Sequence, residues 1–144
     1  MKIQVINGPN MNMLGVREPE IYGALTLEEI NRRIIAKGEE LGQDLDFFQS
    51  NHEGDIIDKI QDCYGKTDAI VINPGAYTHY SIAIRDAIAA VGLPTVEVHL
   101  SDINSREDFR KISVIKSVCV KQVWGKGVLS YTEALEFLAK KFGG

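Results

Sequence analysis

Cysteine is scarce in this 144-residue chain: Cys63 and Cys119 lie 56 positions apart, with no C-x-x-C spacing. That excludes a disulfide scaffold, a zinc ribbon and a dithiol redox motif, and it predicts buried thiols in a reducing compartment, the cytoplasm. Long apolar runs are missing too. The run after Lys2 stops at Asn7, and nothing approaches the roughly 18 residues of a membrane span, so neither export nor a membrane partner is expected. Basic surplus is absent: 16 Lys+Arg against 20 Asp+Glu leave a net charge of −4, which argues against nucleic acid as a partner. There is no G-x-x-x-x-G-K-[ST], G-x-G-x-x-G or G-x-S-x-G sequence, and the three histidines are too dispersed for a metal triad. Hydride transfer and hydrolysis therefore lose ground, and no metal is expected. Nor is there an internal repeat or a linker rich in proline or serine, so residues 1–144 are expected to form one domain, with 44% apolar residues to fill its core.

What is present alternates. Short β-branched runs at 2–7, 45–50, 69–73, 95–101 and 118–124 predict five strands. Between them Leu27, Ile30, Ile34 and Leu41 mark a helix opened by Thr26 and Glu29 as a capping box and closed by Gly42. A second helix runs from about Glu53, with Ile56, Ile57, Ile60 and Tyr64 inward, to Gly65; a third spans about 79–91 before Gly92. A fourth follows Ser130 as cap, with Glu133 as its capping-box partner. Strand–helix alternation calls for an α/β fold with an open parallel sheet covered on both faces, and the flavodoxin-like strand order 2-1-3-4-5 is expected.

Ligands of such sheets bind beyond the carboxyl ends of the strands. After strand 1 comes Asn7-Gly8-Pro9-Asn10-Met11-Asn12, after strand 3 Asn73-Pro74-Gly75-Ala76-Tyr77-Thr78-His79, and strand 4 ends in Glu97-Val98-His99-Leu100-Ser101. The connection from Gly8 to about Leu25 is long, as lids are, and carries Arg17 and Tyr22. Those two are either surface decoration or a base and its activator, since a guanidinium nearby favours the phenolate of a tyrosine. Glu97 and His99, two apart on a strand, share one face while Val96, Val98 and Leu100 share the other. They are a satisfied core histidine with an incidental carboxylate, or a general acid held by its orienting partner. Asn73 and His79 flank a Pro-Gly turn suited to an anionic ligand. Arg106 and Arg110, four apart on a short helix, either reach such a ligand or pair with Glu107 and Asp108. The set suits proton abstraction beside a carbonyl with loss of a leaving group.

The three motifs, together with Arg17-Glu18-Pro19 and Tyr22-Gly23, resemble type II 3-dehydroquinate dehydratase over nearly the whole chain. The resemblance implies a flavodoxin-like domain, a homododecamer built from trimers, and a cofactor-free anti elimination of water from 3-dehydroquinate. In that pattern Tyr22 is the base, Arg17 lowers its pKa, Asn10 stabilises an enolate through a water, and His99, oriented by Glu97, protonates the leaving hydroxyl. Asn73, His79, Asp86, Leu100, Ser101 and Arg110 hold the substrate. The chain departs from the pattern at Asp102, often Asn, at Asn104, often His, and at Ser130, usually Gly; the added charge of Asp102 is expected to weaken binding of an anion. Two rivals share the fold: a nucleotide- or flavin-binding module, for which Asn-Gly-Pro-Asn is a poor phosphate loop, and a receiver domain, which needs acidic residues where this chain has Asn7 and Asn73. A Schiff base on Lys126 is a further route to the same product.

Overall fold

Five short strands run side by side because their buried, β-branched residues need cover on both faces. The structure is a computed structural model that describes residues 1–16, 20 and 24–143. Its elements are β1 (Lys2–Asn7), α1 (Leu27–Glu40), β2 (Asp44–Gln49), α2 (Glu53–Asp62), β3 (Ala69–Asn73), α3 (Ile82–Val91), β4 (Thr95–Val98), β5 (Lys121–Val123) and α4 (Leu129–Phe142). All four strand pairings are parallel, in the order β2-β1-β3-β4-β5, which is the expected flavodoxin-like arrangement.

Side-chain alternation divides the core into two layers. Ile3, Val5, Val71, Val96 and Val98 meet Ile30 and Ile34 of α1 and Tyr131, Leu135 and Leu138 of α4. Ile6, Ile70 and Ile72 meet Ile56 and Ile60 of α2 and Ile84 and Ile88 of α3 on the opposite face. Each buried isoleucine or leucine contributes about 1.5–3 kcal/mol.

Several expected boundaries shift for local reasons. The Thr26 hydroxyl accepts from the Glu29 amide at 3.2 Å and opens α1 as predicted. The third helix begins at Ile82, because Gly75–His79 form a tight 3-10 turn first and the Ser81 hydroxyl then caps the Ile84 amide at 3.0 Å. Tyr64 is 70% exposed instead of inward: α2 ends at Asp62, and the chain turns through buried Cys63 toward Gly65 at φ +74°. The capping box at Ser130 is not formed. Leu129 already begins α4, the Ser130 hydroxyl accepts from the Lys126 amide at 3.2 Å, and Glu133 takes Lys126 Nζ instead. β4 is shorter than the predicted run, yet the His99 amide still donates to the Val123 carbonyl at 2.9 Å, so the ladder carries one residue past the strand. β5 is reduced to Lys121–Val123 because Lys116–Val118 form a 3-10 turn.

The loops after β1 and β3 touch backbone to backbone. The Gly8 amide donates to the Asn73 carbonyl at 2.8 Å, and a Cβ on Gly8 would lie 2.5 Å from the Pro74 carbonyl oxygen. Gly54, exposed in α2, has nothing within 4 Å of an added Cβ. Gly8→Ala is therefore expected to destabilise by about 1–3 kcal/mol through overpacking, whereas Gly54→Ala should stabilise by up to about 1 kcal/mol. Urea midpoints of the two variants check both signs, and a Gly8→Ala midpoint at the wild-type value would remove the tight loop contact.

Candidate active site

The two central strands end together. Asn7 and Asn73 are in register at the carboxyl ends of β1 and β3, both buried, so their amide tips need partners inside the protein. Fully buried Tyr131 of α4 supplies them: its hydroxyl donates to Asn7 Oδ1 at 2.5 Å and accepts from Asn73 Nδ2 at 3.1 Å. Asn73 Oδ1 in turn accepts from the Gly75 amide at 3.1 Å, which fixes the Pro-Gly turn. Asn10 has φ +69°, the only left-handed non-glycine among the described residues. Its amide is held by Asn51 Oδ1 at 3.1 Å, and the Tyr77 hydroxyl donates to the Asn51 carbonyl at 2.9 Å. The ends of β1, β2 and β3 are thus tied into one rim.

On β4, Glu97 sits between Ile72 of β3 and Gln122 of β5 and is completely buried; His99 is 5% exposed. His99 Nε2 donates to Glu97 Oε2 at 2.5 Å. The Thr78 hydroxyl donates to the same oxygen at 2.7 Å, and the Ser113 hydroxyl reaches both carboxylate oxygens at 2.8 and 2.9 Å. Burial pushes the Glu97 carboxyl up, but His99, Thr78 and Ser113 together outweigh it and hold the group below its ordinary value. Half-buried His79 donates from Nδ1 to the Ile112 carbonyl at 2.7 Å. Burial, with the charges of His99 and Arg110, lowers its pKa against the pull of that carbonyl.

Of these groups Asn10, Asn73, His79 and His99 line one cleft, together with Leu100, Ser101, Arg106 and Arg110. Arg106 Nη1 donates to the Ser101 hydroxyl at 3.4 Å, and Arg110 Nε lies 2.9 Å from Glu107 Oε2. A buried, carboxylate-held imidazole facing two guanidiniums suits acid catalysis on a small anion.

A profile of the family described as dehydroquinase class II matches residues 1–139. The chain belongs to that family. It is 58% identical over 135 residues to the 3-dehydroquinate dehydratase of Caldicellulosiruptor bescii, covering 93% of each chain, and 52% identical over 143 residues to that of Pelotomaculum thermopropionicum, covering 99% of each. The type II dehydroquinase structure from Butyrivibrio crossotus superposes with a TM-score of 0.94 at 52% identity, over 96% of this chain and 97% of that one. An enzyme of the class II dehydroquinase type follows from this membership, and the flavodoxin-like fold with it.

In this member of the family, most residues singled out in the sequence meet in the cleft. Arg17 and Tyr22 lie outside the described residues. Asp86 is not brought to the cleft of its own chain: the inward stripe of α3 is Ile84, Ala87, Ile88 and Val91, so Asp86 faces outward, exposed beside Arg85. Arg106 and Arg110 do not share a helix. Arg106 is extended after the turn Ile103–Ser105, and Arg110 closes the separate turn Asp108–Arg110; the loop, not helical spacing, brings both to the cleft. Asp102 spends its carboxylate on the Asn104 amide at 2.9 Å and is not a lining residue. Lys126 is half-exposed, bound to Glu133 and outside the cleft lining, which gives a Schiff base no support. Sequence reasoning missed the partners: Thr78 lay inside a quoted motif, and Tyr131, Ser113 and Asn51 carried no functional signal.

The two shifts set a pH dependence of stability. Glu97 and His79 both have folded-state pKa values below their unfolded ones, so the unfolded chain binds more protons and stability falls with acidification. Loss should begin as pH drops through the unfolded histidine value near 6.5 and steepen below the carboxyl value near 4.5. Urea midpoints from pH 8 to pH 4 measure this, and His79→Gln should flatten the first phase only. A midpoint that rises on acidification from pH 7 to pH 5.5 would reverse the assignment.

Proposed function

We propose that this chain removes water from 3-dehydroquinate to give 3-dehydroshikimate, by anti elimination through an enolate and without a cofactor. The His99 imidazole, held by fully buried Glu97 at the carboxyl end of β4 and lining a cleft with two arginines, is the observation that carries the reading. It supplies an acid where the leaving hydroxyl would stand and cations for the substrate carboxylate. Tyr22 as tyrosinate takes the C2 proton, with Arg17 favouring its ionised form. The electron pair moves into the enolate, whose charge Asn10 stabilises through a water. As the enolate collapses, the C1–O bond breaks, His99 protonates the departing oxygen, and water leaves. Asn73, His79, Arg110 and the backbone at Leu100 and Ser101 hold the ring substituents; Asp86, which faces away from the cleft of its own chain, joins them only from a neighbouring copy in the assembly.

The resemblance to the family supports the roles of Arg17, Tyr22 and Asp86; the cleft geometry supports the rest. We place residues 1–144 in one catalytic domain, in the cytoplasm, serving aromatic amino acid biosynthesis or quinate breakdown. Cys63 and Cys119 are free thiols, as that compartment allows, and burial with the nearby Glu97 charge pushes Cys119 up to about 12. No described helix is long and apolar enough to cross a membrane.

Ultraviolet absorbance of the conjugated product, with chelator-treated protein and 3-dehydroquinate, tests substrate, cofactor and residues together. Tyr22→Phe and His99→Asn should each lower kcat by about 10²–10⁴-fold while remaining folded. No product from the wild type would overturn the reaction, and equal rates with Tyr22→Phe would overturn the base. The assembly is a homododecamer in this reading, as the family resemblance implies, and the exposed side chains of Tyr80, Ile82, Phe109 and Ile112 offer apolar surface for contacts between copies. Sedimentation equilibrium should find twelve times the chain mass of 16.0 kDa, and a monomer at working concentration would reject it.

A further inference from the structure

We propose that Ser113 and Thr78 are positioning residues for the acid: their two hydroxyls hold the Glu97 carboxylate ionised and aimed at His99, so that the transferable proton stays on the imidazole. The inference rests on the reading of His99 as the group that protonates the leaving hydroxyl.

The hydrogen-bond directions carry it. Ser113 Oγ accepts from the Lys116 amide at 3.1 Å, which turns its single proton toward Glu97. Thr78 sits on the turn after β3, its hydroxyl 2.7 Å from Glu97 Oε2, in a residue with no exposure. With His99 Nε2, both hydroxyls make a set of donors around a carboxylate that water does not reach. Such a set favours the acceptor-only, ionised form. With Nε2 bound to Glu97, Nδ1 is the imidazole nitrogen that has no hydrogen-bond partner among the described residues, and it is the one left to serve the substrate.

Without the hydroxyls, one proton shared between Glu97 and His99 has a second resting place. Carboxylate with imidazolium changes to carboxylic acid with neutral imidazole, at no change in net charge. In the second form the proton sits on Glu97, buried away from the leaving oxygen. Removing a donor from Glu97 also makes the pair hold its proton to higher pH. Activity should therefore fall while the descending alkaline limb moves upward. Loss of Glu97 itself does the reverse, because the imidazolium loses its counter-charge. Other groups that bear on the pair are His79 on the turn after β3, Arg106 and Arg110 after β4, and Cys119 ahead of β5. None of them is removed by the hydroxyl substitutions. Gln122, beside Glu97 on β5, is uncharged.

The test compares kcat and KM across pH for wild type, Ser113→Ala, Ser113→Thr, Thr78→Val, Thr78→Ser and Glu97→Gln. Ser113→Ala and Thr78→Val should each lower kcat about tenfold, with KM within about twofold. In both, the alkaline limb should move up, whereas Glu97→Gln moves it down. Ser113→Thr and Thr78→Ser, which keep the hydroxyl, should restore the wild-type limb. An alkaline limb that stays in place, or failure of the hydroxyl-bearing variants to restore activity, overturns the proposal. Thr78→Val keeps the side-chain shape and serves should Ser113→Ala fail to fold. Nitrogen-15 spectra of the ring read the same change without substrate, because the chain has only three histidines to assign. Below the limb, the His99 nitrogens should move from imidazolium toward neutral values in Thr78→Val; unchanged shifts refute it. Wild-type protein inactive on 3-dehydroquinate removes the reaction itself, whereas an active wild type with unmoved limbs and shifts removes only this role.

Discussion

A carboxylate with no exposure on an interior parallel strand constrains much of what surrounds it. Leaving Glu97 unpaired there would cost several kcal/mol, so the chain has to deliver donors to β4 from separate places. It does so from one residue past the end of the same strand with His99, from the turn after β3 with Thr78, and from the loop before β5 with Ser113. Each donor comes from a segment that also borders the cleft. The Thr78 carbonyl accepts from the Val114 amide at 2.8 Å, which pulls the loop carrying Ser113 against the turn carrying Thr78. Satisfying one buried charge thus helps to assemble the cleft wall.

The neutral half of the site follows a similar rule with weaker partners. Asn7 and Asn73 end buried strands, and each needs its amide bonded within the protein. One phenol from α4 serves both, and burial keeps Tyr131 protonated by pushing its pKa up, so it remains a donor to Asn7. Tyr131 and Glu97 act on opposite faces of the sheet, since Tyr131 packs with Val96 and Val98 while Glu97 points away from them. The polar rim is therefore anchored from both layers of the core.

This explains which features could be read from the sequence. Strand alternation and glycine stops place β1, β3 and the ends of α1 and α3 well, because each depends on neighbours within a few residues. The shared face of Glu97 and His99 was legible for the same reason: it needs only the two-residue period of a strand. Tyr64 was not, since its exposure depends on where α2 stops. Nor was the approach of Arg106 and Arg110, which the loop brings about through two separate 3-10 turns. Ser113 is the extreme case: 16 residues from Glu97 and without periodic context, it becomes meaningful only once the loop closes over β4.

The departures at Asp102 and Ser130 follow the same logic of local satisfaction. Asp102 brings a negative charge to a loop beside an anion-binding cleft, but the Asn104 amide takes its carboxylate, and the Ser105 hydroxyl donates to its carbonyl at 2.9 Å. A carboxylate that caps its own turn is stabilised there by a charge-assisted bond. Its field at the cleft still opposes an anion, but Arg106 and Arg110 line the cleft and Asp102 does not. Ser130 is buried, and its hydroxyl takes the Lys126 amide where the chain enters α4. The substituted positions thus reinforce the turns at which they stand, and the donors and cations that face the cleft are left in place.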